Sequence, residues 1–217
     1  MQPDYLIFDL DGTISNPKDG IARSINYALM QHDFDAQSED EIARLIGLPL
    51  DQMYVHLIQQ TKPSLISSLV AKYRERYLEI GYTENLLYDD IKESLIELHE
   101  SKEFCLGICT SKRADNAENI LEMFGIRVLF EFVSGGDIGI EKSQQLQELL
   151  ERNAINRNSL MIGDRYIDLR AAHSNNLHSA GVLWGYGTRS ELENETPEYI
   201  FDRPVQLTEL ISEQRTN

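Results

Sequence analysis

The chain has 217 residues, 41% of them hydrophobic, which suffices for one sizeable core or for a core with a smaller satellite domain. Its formal net charge of −16 sets it against nucleic acid and anionic membrane as partners, and no apolar run approaches the length of a membrane span. The same acidity repels phosphorylated metabolites, so a phosphate site needs local positive charge from a metal, a lysine or aimed backbone N–H groups.

Met1-Gln2-Pro3-Asp4 shows no basic segment followed by an apolar stretch, and the expected compartment is the cytoplasm. The apolar run Tyr5 to Phe8 predicts a buried strand of a parallel sheet, ending at Asp9. Asn16-Pro17 predicts a helix start, with Ile21, Ile25, Ala28 and Leu29 following at helical spacing. Ser38 to Glu41 fits a capping box, Leu50 to Gln60 a helix, and after Pro63 the residues Ile66, Val70, Tyr73 and Tyr77 form one helical stripe. Residues 16–83 are therefore expected to be helical throughout, without a strand.

The pattern then changes. A helix from Ile91 to Glu100 precedes a strand from Phe104 to Cys109. Cys105 and Cys109 are four apart on that strand, beyond disulfide reach, and are expected as two buried thiols. A helix from Ala114 to Phe124 is closed by Gly125, and a short strand follows near Phe132-Val133. Next come a helix carrying Leu146, Leu149 and Leu150, a strand from Leu160 to Ile162, a helix after Tyr166, and a strand from Ala180 to Leu183. Strands alternating with helices imply an α/β fold with a parallel sheet, built from residues 1–15 and 84–217 and interrupted by the helical insert 16–83. The polar tail from Ser212 to Asn217 is expected to fray.

Open parallel sheets bind ligands at the carboxyl ends of their strands, so what each strand delivers there matters. The first delivers Asp9 and Asp11, two apart and so on one side, around the Asp9-Leu10-Asp11-Gly12-Thr13 segment. Adjacent carboxylates need a cation or a shared proton; with a divalent metal, one can act as nucleophile while the other moves protons. The second delivers Thr110-Ser111-Lys112, whose hydroxyls and N–H groups suit a phosphate oxygen; a later segment supplies Lys142, and the fourth ends in Gly163-Asp164 with Asp168 a helical turn on. Each group alone also fits a structural role: Asp11-Gly12 as a turn, Thr110 or Ser111 as a helix cap, Lys142 as a solvated side chain, Asp164 and Asp168 as charges at a helix start. Their occurrence in order at successive strand ends is what favours chemistry.

These residues resemble the haloacid dehalogenase-like hydrolase superfamily. Phe8-Asp9-Leu10-Asp11-Gly12-Thr13 matches its first motif, Thr110-Ser111-Lys112 the second, Lys142-Ser143 the third, and Gly163-Asp164-Arg165-Tyr166-Ile167-Asp168 the fourth, so the likeness covers nearly the whole chain. The insert resembles the helical cap of the subclass that contains phosphoglycolate phosphatase. Arg165 and the segment Gly181 to Gly187 look closest to the phosphoglycolate phosphatase and 5′-nucleotidase-like branch. The resemblance implies a Rossmann-like three-layer core with an inserted all-helical cap, and a Mg2+-dependent phosphomonoester hydrolase acting on a small phosphorylated metabolite, as a monomer or homodimer. In it, Asp9 attacks phosphorus and forms an aspartyl-phosphate, and Asp11 protonates the leaving alcohol and then activates water. Asp9, the Asp11 backbone carbonyl and Asp164 hold magnesium, with Asp168 orienting the site. Ser111 or Thr110, with Lys142, holds the phosphoryl oxygens.

Two departures stand out: Ser143 follows Lys142 where proline is frequent, and Tyr88-Asp89-Asp90 replaces a proline-glycine turn. Arg44, with Gly47 and Pro49, lies where related caps carry a substrate loop, although an ordinary helix end fits these residues equally. Trp184 and Tyr186 suit either an entrance or a Gly-rich packed turn. A sugar phosphomutase of the same fold would keep every core motif, and a phosphoaccepting signalling switch also combines carboxylates, Ser/Thr and Lys on a parallel sheet. A dehalogenase is disfavoured by Asp11, which carbon–halogen displacement does not require.

Overall fold

The structure, a computed structural model, describes residues 3–212. Strands β1 (Tyr5–Phe8), β2 (Ser15–Asn16) and β3 (Leu86–Leu87) surround the helices α1 (Lys18–Met30), α2 (Glu39–Ala43), α3 (Leu50–Ile58) and α4 (Pro63–Glu79). Thereafter α5 (Ile91–Glu100), β4 (Cys105–Thr110), α6 (Ala114–Met123), β5 (Phe132–Gly135), α7 (Lys142–Glu151), β6 (Ser159–Gly163), α8 (Tyr166–Ser174) and β7 (His178–Val182) alternate, and α9 (Arg189–Glu193), β8 (Tyr199–Phe201) and α10 (Glu209–Ser212) complete the chain. The tail expected beyond Ser212 lies outside the described residues.

Six strands form one parallel sheet in the order β5-β4-β1-β6-β7-β8. β1 sits centrally because its residues can be buried on both faces. Leu6 and Phe8 join the apolar cluster under α5, α6 and α10, while Ile7 joins the cluster under α7 and α8. The result is the expected Rossmann-like three-layer core. β1 is flanked by β4 and β6, which come much later in sequence, so the chain reverses direction across the sheet beside the end of β1, where such sheets open a crevice.

Helices α1–α4 gather an apolar cluster of their own around Ile25, Tyr54, Leu69 and Tyr77. The expected stripe Ile66, Val70, Tyr73 and Tyr77 is buried there, and Ser38 makes the expected capping box with Glu41. The entry to this region is not the expected capped helix start. Asn16 lies in β2, paired antiparallel with Leu86 of β3, and Pro17 occupies the helix-cap position; Asn16 Oδ1 still accepts from the Lys18 N–H at 3.1 Å. The chain thus leaves and rejoins the core through a two-strand ribbon, and the return crosses it at Leu86–Leu87, just beyond the boundary at residue 83.

The segment Tyr88-Asp89-Asp90 turns at Asp90, which takes a left-handed conformation at φ 61° and whose carbonyl accepts from both the N–H and the hydroxyl of Ser94. Of the two cysteines, both free, Cys109 is buried and its thiol is pushed up to about 12 by burial. Cys105, expected to be buried, is half-exposed because it opens β4 at the sheet's amino edge.

Candidate active site

Asp9 follows β1 directly, its N–H bound to the Ile162 carbonyl of β6 at 2.9 Å, so the sheet itself fixes its backbone. The chain then turns through Leu10–Ser15, with the Ile14 and Ser15 N–H groups both donating to the Leu10 carbonyl. Gly12 permits this at φ 89°; a Cβ there would lie 2.2 Å from Asp164 Oδ2. The turn therefore presses its backbone against the carboxylate that ends β6.

Asp9, Asp164 and Asp168 are all buried and offer oxygens within 4.8 Å of one another. Lys142, the first residue of α7, reaches in from the side: Nζ lies 2.9 Å from Asp9 Oδ1 and also pairs with Asp168. Asp168 accepts from the Arg165 N–H at 3.0 Å as well, which anchors it at the start of α8. Burial raises the Asp168 carboxyl to about 6 despite Lys142, and burial with the neighbouring Asp168 and Asp9 raises Asp164 well above the carboxylate range. Asp164 is partnered by the Tyr186 N–H at 2.7 Å and by the Thr13 hydroxyl at 3.4 Å. Three buried carboxylates against one ammonium leave negative charge in excess, and an all-oxygen set of this kind suits a hard divalent cation.

Asp11 is turned away from that cluster. Its Oδ2 lies 2.9 Å from Lys112 Nζ, while Oδ1 is buried without a partner. Burial raises the Asp11 carboxyl, and Lys112 opposes the rise. Lys112 itself is held protonated: burial would lower its pKa, but Asp11 and Tyr77 more than offset that.

Thr110 ends β4, and its hydroxyl oxygen accepts from the Lys112 N–H at 3.2 Å. Ser111 follows and has no side-chain partner among the described residues. Asp9, Asp11, Thr110 and Ser111 line a cavity of about 80 Å³, roofed by Ile46 to Leu50 and Met53 from the helical insert. A second cavity of about 390 Å³, lined by Lys142, shares Leu48, Pro49 and Ser111 with it.

The structure brings together the expected Asp9, Asp11, Thr110, Ser111, Lys142, Asp164 and Asp168. It does not bring the Arg44 side chain to them: Arg44 is exposed at the end of α2, outside the cavity wall, and its carbonyl accepts from Arg165 at 3.3 Å. Trp184 and Tyr186 belong to a packed Gly-rich turn. Trp184 donates to the Thr13 carbonyl at 2.8 Å and Tyr186 to Asn16 Oδ1 at 2.6 Å, and neither lines the cavity. Ser143 simply continues the first turn of α7, its carbonyl accepting from Asn175 at 2.8 Å. Sequence reasoning missed Lys112 as a partner of Asp11; its place beside Thr110 and Ser111 at a strand end was the available signal.

The family description "haloacid dehalogenase-like hydrolase" matches residues 6–182. A 5′-nucleotidase of Pseudomonas aeruginosa is 31% identical over 198 residues, covering 89% of each chain. A phosphoglycolate phosphatase of Vibrio cholerae is 29% identical over 217 residues, covering 95% of this chain and 96% of its own. Among solved structures, a predicted phosphatase from Clostridium acetobutylicum superposes with a TM-score of 0.91 at 29% identity, covering 98% of this chain and all of that one (100%).

Proposed function

Because the chain belongs to the haloacid dehalogenase-like hydrolase family and is one of its phosphatases, we propose that it hydrolyses a small phosphorylated metabolite by way of a phosphorylated Asp9, with magnesium as cofactor. The observation that carries this reading is the placement of Asp9: at the carboxyl end of the central strand, held by Lys142 at 2.9 Å, beside two further buried carboxylates and facing the cavity. An Asp9 oxygen attacks phosphorus in line with the ester oxygen, and the P–O bond to the alcohol breaks as Asp11 supplies the proton. Asp11, now a carboxylate, takes a proton from water, whose oxygen attacks phosphorus and returns Asp9 with release of phosphate.

Lys142 and the Ser111 hydroxyl, with Thr110 behind it, hold the phosphoryl oxygens, so that the chemistry rests on positioning and charge neutralisation. Asp9, Asp164 and the Asp11 backbone carbonyl are the residues that would hold magnesium, with Asp168 orienting Lys142 and the cluster. Bound there, the ion would offset the carboxylate repulsion and draw charge from the phosphoryl group. Residues 16–83 act as a lid: Ile46 to Leu50 and Met53 roof the cavity that Asp9 and Asp11 line, so movement of the insert opens or closes the site. No helix among the described residues is long and apolar enough to cross a membrane; we place the enzyme in the cytoplasm, as a monomer or homodimer. 2-Phosphoglycolate and nucleoside 5′-monophosphates, after the relatives' names, are the first compounds to assay.

The test is Asp9→Asn assayed on p-nitrophenyl phosphate with magnesium. Lys142 keeps Asp168 as partner, so the variant should melt near the wild type, while kcat falls on the order of a thousandfold or more. Turnover within a fewfold of wild type would remove Asp9 from the nucleophile's role.

A further inference from the structure

Asp11 has to present one oxygen to the leaving group, yet a carboxylate rotates easily about its last bond. What stops it here is Lys112, whose Nζ lies 2.9 Å from Oδ2 and leaves Oδ1 as the oxygen on which a proton can sit. The lysine is itself fixed. Its side chain is 7% exposed, and its ammonium sits 3.0 Å from the Tyr77 hydroxyl and 4.5 Å from the centre of the Tyr77 ring. Tyr77 is fully buried in the last turns of α4, and its hydroxyl accepts from Asn85 Nδ2 at 3.1 Å. Asn85 Oδ1 in turn accepts from the Ser15 hydroxyl at 3.3 Å. Ser15 lies in β2 and Asn85 directly precedes β3, so the chain of contacts runs from the acid to the ribbon through which the helical insert joins the core.

We propose that Lys112 is a positioning residue for Asp11, and that Tyr77 makes this positioning depend on the seating of the insert. The inference rests on the reading of Asp11 as proton donor. When α4 shifts relative to the core, Tyr77 moves away from Lys112, and Asp11 Oδ2 loses its restraint. The acid is then aligned only with the insert seated, after a substrate is enclosed. Asn85 and Ser15 hold Tyr77 at the point where such a shift would pivot, so it is transmitted rather than absorbed.

The prediction concerns leaving groups. A p-nitrophenolate departs readily without a proton, whereas a phenolate depends on one. On aryl phosphates kcat/KM reports steps only up to transfer of the phosphoryl group to Asp9, so the later attack of water does not enter the comparison. Lys112→Met should lower kcat/KM for phenyl phosphate about tenfold or more beyond its effect on p-nitrophenyl phosphate, a fraction of the full contribution of a general acid. Tyr77→Phe, which keeps the ring and its packing, should shift the ratio in the same direction by a fewfold. Equal losses on both substrates for Lys112→Met would make it a structural or phosphate-binding residue and overturn the proposal. An unchanged ratio in Tyr77→Phe would overturn the link to the insert. If the wild type with magnesium turned over neither aryl phosphate, the phosphatase reading would itself fall, and this inference with it.

Discussion

At the scale of single residues, the carboxylate of Asp164 is the most exacting element of the site. It is wholly buried, and burial together with Asp168 and Asp9 raises its proton affinity far above that of an exposed aspartate. A folded pKa above the unfolded one means that the cost of the charge is absent in acid and grows as pH rises through the raised value. At neutral pH the metal-free protein therefore carries this penalty, and a cation bound beside it would relieve it. Asp164→Asn should accordingly melt at or above the wild type without magnesium. It should also lose most of the magnesium-induced rise in Tm expected of the wild type, and need far more magnesium for turnover. A wild-type Tm and activity indifferent to a chelator would count against the metal reading. Asp9, Asp11 and Asp164 were legible in the sequence because each follows a strand that its own apolar run declares, and Lys142 and Asp168 because they stand in order after such strands. Lys112 and Tyr77 were not: the one looks like any surface lysine, the other like one more member of a buried stripe, and only their meeting across the fold reveals a partnership.

Among the elements, those recognisable from sequence were the ones whose pattern is local. β1 and β6 are unbroken apolar runs, and α4 repeats its apolar residues over 17 positions. The ribbon of β2 and β3 and the edge strand β8 span only two or three residues each, and are created by pairing with distant chain rather than by any period of their own. Gly20 shows where local reasoning gives the wrong sign. Gly20 lies in the first turn of α1, and a glycine within a helix costs up to about 1 kcal/mol relative to alanine, so Gly20→Ala looks stabilising. A Cβ there, however, would lie 2.1 Å from the Gly81 carbonyl oxygen, a backbone atom of the turn that leads out of α4 toward β3. The helix would have to move off that turn, and overpacking of this kind costs about 1–3 kcal/mol. Gly20→Ala should therefore lower Tm, measured by thermal melting; a higher Tm would show that α1 and the 81–84 turn separate freely.

On the scale of the whole molecule, the question is what holds the helical insert down on the core. Besides the contact of Tyr77 with Lys112, two arginines make side-chain contacts between them near the cavity. Arg74 of α4 pairs with Asp137 at 2.5 Å, but the two side chains are 25% and 48% exposed, and such pairs contribute about 0–1 kcal/mol. Arg165, only 11% exposed, donates to the Ile46 carbonyl at 2.5 Å and to the Arg44 carbonyl at 3.3 Å, while Glu191 holds its Nε at 2.8 Å. Hydrogen bonds from a charged donor contribute about 1.5–3 kcal/mol each, so the Arg165 contact should dominate. It also grips the loop that roofs the cavity, just before Gly47 to Leu50. Arg165→Met should then raise KM for a metabolite substrate more than for p-nitrophenyl phosphate, because the larger leaving group depends more on enclosure. It should also speed proteolysis within residues 30–62, the segment released from the core. Arg74→Ala should leave both readouts within about twofold of wild type. If instead Arg74→Ala proved the more damaging, the insert would be seated from the α4 side, and the loop after α2 would follow rather than lead its closure.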